Sequence, residues 1–468
     1  MSVFDEYARP EDAGVSSEGL RRFLEKAQQQ RDTVQYHGLI LLRHGKVVTR
    51  MSWAPYDTLT PHTLYSLSKS FCSAAAGFAV SEGLIDWETP ITQVLPEEIP
   101  EGREEELKQI TLKSLLCMGS GLDPESDSHP GNDQVTLARY VLSHRLLYKP
   151  MTHFHYNTMG TYLVSCMVQK VTGQTVRDYL VPRLFEKLGI DRPQWDTSPQ
   201  GVSLGGYGLH LSTESIARFG QCLLERGLWR GQRVLPKGWV ELATSEHIAN
   251  YPGTRQDGNE WGQGYGFQFW RCMDGRYRGD GMYGQLCMVD EKLDAVLAVT
   301  CATNDMGLEM RLIRENIFAA FDKTPSAPEQ TALLKQEIAG LCYTAAPDDG
   351  SELDAALLGR TFYAQNGDLG IRFEKGEGGS LALHISRAGE QCALSLKRGA
   401  PSVVDIPWRP SKRFAGFWTA QNGMPALSLR SSADPDTLEG TFRLEGKELR
   451  FDGFCTGFPF GNKVFREK

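Results

Sequence analysis

Leu64-Tyr65-Ser66-Leu67-Ser68-Lys69-Ser70-Phe71 is a short polar turn that runs directly into an apolar segment. Beyond it, Leu67, Phe71, Ala74, Phe78 and Ala79 recur at helical spacing, which predicts a buried helix with Ser66 near its first turn and Gly83 as its stop. Residues three apart share a helix face, so the Lys69 ammonium sits beside the Ser66 hydroxyl. A cation in the first turn faces the positive end of the helix dipole and is disfavoured unless something is gained. Burial and that dipole both favour the neutral amine, the form that a base beside a nucleophile needs. A chain of this length carries about one Ser-x-x-Lys by chance, and a capping serine next to a solvated lysine would account for the four letters. This chain has only that one. Its place at the mouth of an apolar helix favours the nucleophile.

The 468 residues are enough to bury one large core and a second, smaller one. A net charge of -8 with no basic run argues against a nucleic-acid partner. The N-terminal stretch lacks the basic start and apolar core of a signal peptide, and no segment approaches a membrane span, so a cytoplasmic protein without membrane contact is expected. Ten cysteines lie scattered without a Cys-x-x-Cys pair, which reads as reduced core thiols and not as disulfides or zinc ligands.

Outward from the Ser66 turn, a helix through Leu20, Phe23, Leu24 and Ala27 is capped by Ser16 or Ser17, and residues 37–48 form a strand pair turning at His44-Gly45-Lys46. Helices follow at 111–117, 158–171 and 176–188, the first stopped by Met118-Gly119-Ser120-Gly121-Leu122 and the last two divided by Gly173. His153-Phe154-His155-Tyr156-Asn157-Thr158 is a second polar island just before a helix. A further helix begins near Ser212. Strands are expected at 266–270, 284–289 and 295–300, and a closing helix at 311–321. This order suits an antiparallel sheet covered by helices with an α domain inserted. Composition shifts at Lys323-Thr324-Pro325, and beyond Asp348-Asp349-Gly350-Ser351 almost everything reads as short strands and turns. The expected domains are 1–325, a helical linker at 326–350, and an all-β sandwich or barrel at 351–468.

The Ser66–Lys69 motif with its Phe71 helix, residues 115–122, Phe154 to Tyr156 and Gly205 to Gln221 together resemble the class C β-lactamase-like serine hydrolases. That group includes penicillin-binding proteins, family VIII esterases and D-aminopeptidases, and the resemblance covers residues 12–322. It implies a mixed α/β (α+β) fold: a β-lactamase-like antiparallel sheet flanked by helices, an all-α insertion with the pocket between them, and here a small C-terminal all-β domain. It also implies catalysis by Ser66, Lys69 and Tyr156. The family's second motif, Tyr-x-Asn, falls on Tyr156-Asn157-Thr158, with threonine in place of asparagine; a hydroxyl cannot offer the amide's paired donor and acceptor. Taken alone, Tyr156 would more simply be a packed ring whose hydroxyl bonds a backbone carbonyl.

The third motif, Lys-Thr-Gly or His-x-Gly, falls on Gly279-Asp280-Gly281, where only the last glycine matches and a hairpin turn competes as an explanation. The resemblance makes the amides of Ser66 and Met282 the oxyanion hole, with Gly281 letting backbone approach the substrate. Thr158, Asp280, Gly281, Leu122 and Trp261 are placed as substrate contacts. Asp280 in place of a cation puts negative charge near the site, weakened if Arg276 or Arg278 pairs with it, and this favours uncharged or amine-bearing substrates over β-lactams. The expected function is hydrolysis of a small ester or amide through an acyl-enzyme on Ser66, without metal or organic cofactor. A β-lactamase or D-amino-acid peptidase of the same fold is the alternative, and a non-catalytic binding protein on this scaffold is the rival of another class. Self-assembly into a homo-oligomer is compatible with either.

Overall fold

The computed structural model describes residues 3–123, 135–191, 193–255, 258–343, 353–365, 367–376, 380–387, 389–398, 402–406, 413–422, 424–431, 433–456 and 463–467. A six-stranded antiparallel sheet forms its centre, in the order Lys46–Ser52, Val34–Arg43, Ala295–Thr303, Gln285–Asp290, Tyr277–Gly281, Trp270–Arg271. The two strands Val34–Arg43 and Ala295–Thr303 are buried almost end to end because helices cover both faces of the sheet. Alternation along a strand divides their side chains between two cores. Leu39, Leu41, Leu297 and Val299 pack with Leu20, Phe23 and Ile313, whereas Ile40, Leu42, Val296 and Ala298 pack with Phe71, Ile216 and Phe219.

The first core lies under helices Ser17–Gln29, Met306–Leu312 and Pro328–Ala339. Ser16 caps the first of these through the Gly19 N–H at 3.1 Å. Helix Pro328–Ala339 docks on it through Arg21 and Glu337 and through Thr331 and Ser17. The second core surrounds helix Ser68–Ser81, buried on every side, and the inserted helices Leu112–Leu116, Leu137–Ser143, Thr158–Thr172 and Val176–Leu180. Among the described residues no helix is long and apolar enough to cross a membrane.

Three expectations are corrected. Residues 266–269 are not a strand, because Gln268 has φ +67° and its side chain bonds the Leu115 and Leu116 carbonyls, tying the segment to the α insertion. The strand belongs instead to Tyr277–Gly281. The expected 176–188 helix keeps α geometry only to Leu180, since Pro182 has no N–H to give and the chain widens into a π turn at Val181–Phe185. The closing helix starts earlier than expected, at Met306, where the Asp305 carboxylate accepts from the Leu308 N–H at 2.8 Å.

Beyond it, ten antiparallel strands from Thr361–Ala364 to Val464–Glu467 curl round a core of Phe373, Trp418, Phe442 and Phe451, and a bridge between Arg398 and Trp418 draws the ends of the sheet together. The boundary stretch at 348–351 lies outside the described residues. This β unit leans on the six-stranded sheet and the turn before Ser66. Buried Arg430 donates to Gln35 at 2.6 Å and to Glu439, which also accepts from Arg31 at 2.9 Å. The Thr63 N–H donates to the Ala433 carbonyl at 2.8 Å, three residues before Ser66.

Candidate active site

The Ser66 turn is a single 3-10 turn, Tyr65–Leu67, feeding helix Ser68–Ser81. Tyr65 has φ +46°, a left-handed conformation unusual for a side chain of its size, which lifts Ser66 onto the rim of the helix. Neighbouring hydroxyls pin the turn from both sides: Ser68 Oγ accepts from the Leu209 N–H at 3.1 Å and Ser70 Oγ donates to the Gln268 carbonyl at 2.8 Å. Lys69 is 1% exposed. Its Nζ lies 2.9 Å from Ser66 Oγ, 2.8 Å from the Gly206 carbonyl and 3.3 Å from Thr158 Oγ1. The Tyr156 ring centroid is 5.0 Å from the same Nζ.

Tyr156 sits in extended chain just before helix Thr158–Thr172, its ring stacked on Trp270 at 5.6 Å. Two anchors hold this segment. The His155 N–H donates to Met118 O at 2.7 Å, and Asn157 caps the helix by accepting from the Gly160 N–H at 2.9 Å. Asn157 Nδ2 reaches the Leu122 carbonyl at 3.4 Å. Leu122 is therefore not a substrate contact: its side chain is fully buried in the α core and its carbonyl holds the helix cap. Thr158 stands where its hydroxyl receives Lys69, a different task from the substrate contact expected of it.

The strand Tyr277–Gly281 runs directly behind the Ser66 turn. A Cβ on Gly279 would come 2.5 Å from Ser70 Oγ and 2.6 Å from Leu67 Cδ1, and one on Gly281 would overlap the Leu64 carbonyl. Both glycines are set by close packing against the Ser66 turn, Gly279 against its side chains and Gly281 against its backbone, a packing requirement that the substrate approach expected of Gly281 did not include. Alternation then turns Arg278 and Asp280 to the opposite face of the strand. Asp280 Oδ2 accepts from Arg278 Nε at 3.1 Å and from Trp261 Nε1 at 3.0 Å. The expected negative charge beside the substrate is thus neutralised and directed away from Ser66. Trp261, expected as a pocket wall, spends its N–H on that carboxylate, while Arg278 lies over its ring at 5.0 Å. Arg276 takes no part; it pairs with Asp290 at 2.6 Å.

Met282 follows Gly281 at the end of the strand, its side chain 56% exposed. The Gly281 carbonyl accepts from the Gly284 N–H at 3.1 Å, inside the turn, and a trans peptide sends the adjoining Met282 N–H the opposite way. The Tyr65 and Tyr283 rings meet edge to face at 5.4 Å, so this turn borders the Ser66 turn.

Sequence reasoning overlooked two groups here. Gly206 supplies the carbonyl under Lys69, and a Cβ there would come 2.6 Å from the Thr158 carbonyl; the Gly205-Gly206 pair was its signal. Gln285 clamps the turn by donating to the Met282 and Cys301 carbonyls at 3.1 and 2.9 Å, and nothing in its local sequence marks it.

Comparison with known proteins identifies the family and the fold. Residues 20–321 match the family described as Beta-lactamase. The 6-aminohexanoate-dimer hydrolase of Paenarthrobacter ureafaciens is 25% identical over 317 residues, spanning 62% of this chain and 78% of that protein. Two solved structures share the fold. EstCE1, a hydrolase with promiscuous acyltransferase activity, superposes with a TM-score of 0.54 at 17% identity over 66% of this chain and 99% of its own. The octameric penicillin-binding protein homologue from Pyrococcus abyssi superposes with a TM-score of 0.50 at 15% identity over 96% of this chain and 99% of its own, β unit included. With its family match covering most of the chain, this protein belongs to the Beta-lactamase family and is a serine hydrolase of that type.

Proposed function

We propose that the chain cleaves a small, uncharged or amine-bearing ester or amide by covalent catalysis at Ser66. The observation that carries this reading is the Lys69 Nζ, buried and 2.9 Å from Ser66 Oγ, beneath the Tyr156 ring. The Lys69 and Tyr156 pair takes the hydroxyl proton as Ser66 attacks the carbonyl, and the amides of Ser66 and Met282 receive the oxyanion. Tyr156 returns the proton to the leaving alcohol or amine. Water, activated through the same pair, then releases the acid and restores Ser66.

The substrate class follows from what surrounds the turn. Exposed Tyr207 and Met282 and half-buried Tyr65 and Tyr283 offer apolar surface, and the nearby carboxylate of Asp280 is paired on the far side of its strand. The relative named for a 6-aminohexanoate dimer supports extending the reading from esters to amides. Ten free cysteines, seven of them buried, suit a reducing compartment.

Rapid mixing with a p-nitrophenyl acyl ester, with intact mass followed in parallel, tests the proposal. The expected result is a burst and an acyl adduct on Ser66, with turnover reduced at least about a thousandfold in Ser66→Ala. A correctly folded wild type showing neither burst nor adduct would favour the binding-protein alternative.

A further inference from the structure

Behind the turn that carries Met282 lies a carboxyl group with no place in the steps above. Glu309, on helix Met306–Leu312, is fully buried, and among the described residues no nitrogen or hydroxyl donates to its oxygens; the Cys301 thiol is the hydrogen-bonding group beside it. The carboxyl lies flat against Gly284, where any Cβ would overlap it; Gly284 has φ +91° and Tyr283 before it +65°. All three carbonyls of the turn are occupied. Gly281 O accepts from the Gly284 N–H, Met282 O from Gln285 Nε2 and Tyr283 O from the Thr303 N–H. The backbone is therefore fixed from within the sheet and supported from behind by Glu309. Facing that carboxyl are Asp280 and Arg278 from strand Tyr277–Gly281, Cys301 from Ala295–Thr303 and Tyr36 from Val34–Arg43. Burial first, and then the Asp280 charge, push its pKa up to about 8, against the smaller pull of Cys301 and Arg278.

We propose that Glu309, as an uncharged acid, is a positioning residue for the turn bearing the Met282 amide, and that its ionisation disables this amide as an oxyanion donor. The inference rests on the Ser66 mechanism above. Two physical effects act together. A buried carboxylate with only a weak thiol donor beside it draws water or backbone N–H groups toward itself and shifts the turn. Its negative charge also opposes the charge that the oxyanion must develop on the other side of the same turn.

The test is the pH dependence of kcat and kcat/KM for a p-nitrophenyl ester between about pH 6 and about pH 10, with spontaneous hydrolysis subtracted. Wild type is expected to lose about tenfold per pH unit on the alkaline side, and Glu309→Gln to hold its rate through that range. Glu309→Ala, which leaves the turn unsupported, is expected to lose about tenfold in kcat at neutral pH with little change in KM, and Glu309→Gln to recover it. The same alkaline decline in Glu309→Gln and wild type, or no decline in wild type, overturns the proposal. Should the variants fail to fold, infrared spectroscopy of wild type reads the buried protonated carboxyl directly. Its band is expected to vanish in step with activity, and a band absent at neutral pH or titrating out of step overturns the proposal. The Ser66 adduct, measured alongside, separates the two readings: an adduct with an unshifted profile sinks only the role of Glu309, and no adduct sinks both.

Discussion

The Lys69 Nζ is buried against oxygens contributed by three separate parts of the chain: Ser66 Oγ, Thr158 Oγ1 and Gly206 O. Removing one leaves a buried donor underused, which costs about 1–3 kcal/mol. Thr158→Val is accordingly expected to lower kcat about tenfold with the fold intact, as steady-state kinetics and circular dichroism would show. Gly281→Ala acts differently, since its methyl overlaps the Leu64 carbonyl. A loss of about 1–3 kcal/mol in urea unfolding, together with a fall in kcat, is expected. Glu309 has a stability consequence as well. With its pKa raised to about 8 in the fold and near the ordinary carboxyl value when unfolded, it is protonated in the native state while the unfolded chain has already ionised. Its contribution is therefore present at acid pH and lost as pH rises through that window. Glu309→Gln is expected to gain stability relative to wild type between about pH 5 and about pH 8, by up to about 3 kcal/mol at neutral pH, in paired denaturant titrations.

At the scale of elements, the strand entering the Ser66 turn is backed by two buried histidines. His62 Nδ1–H donates to the Thr63 carbonyl at 2.9 Å, so its Nε2 is left to accept from His37 Nδ1 at 3.0 Å, and the His37 ring stacks on Tyr56. Burial holds both below the usual histidine range, with the Thr63 carbonyl and Asp434 only partly offsetting this for His62. A depressed histidine pKa gives stability that is present above the unfolded value and lost as pH falls below it. Between pH 7 and pH 5 the protein is expected to lose about 2 kcal/mol through His62, with His37 acting in the same direction, and His62→Gln to flatten that slope in urea titrations. Elements with strong periodicity, such as helices Ser17–Gln29 and Thr213–Leu224, were legible in the sequence because one face is apolar and a serine caps the start. Strand Tyr277–Gly281 was not. Its two glycines imitate a turn, and only the Leu64–Ser70 segment packed against it explains them.

For the whole molecule, the C-terminal β unit packs on the hydrolase core through Arg430, Glu439, Gln35 and Arg31, and reaches the strand before Ser66 at Thr63. Arg430 is 1% exposed, and its removal takes one donor from Gln35 and one from Glu439, which keep each other and Arg31. Arg430→Ala is expected to cost about 1–3 kcal/mol in denaturant unfolding, with turnover falling as the Ala433–Thr63 contact loosens. The sequence by itself determined the element order, the insertion of an α region between strands, the all-β C-terminus and the pairing of Ser66 with Lys69. All of these rest on periodicity, capping and spacing within a few residues. Tertiary structure alone decided that Asp280 turns away to Arg278, that Leu122 is core, that Gly206 and Thr158 hold Lys69, and that Glu309 lies behind Met282. Each of those facts depends on which face of a strand is presented and on which distant segment packs there. Neither is written in local sequence; both follow from burying two cores on opposite sides of one sheet.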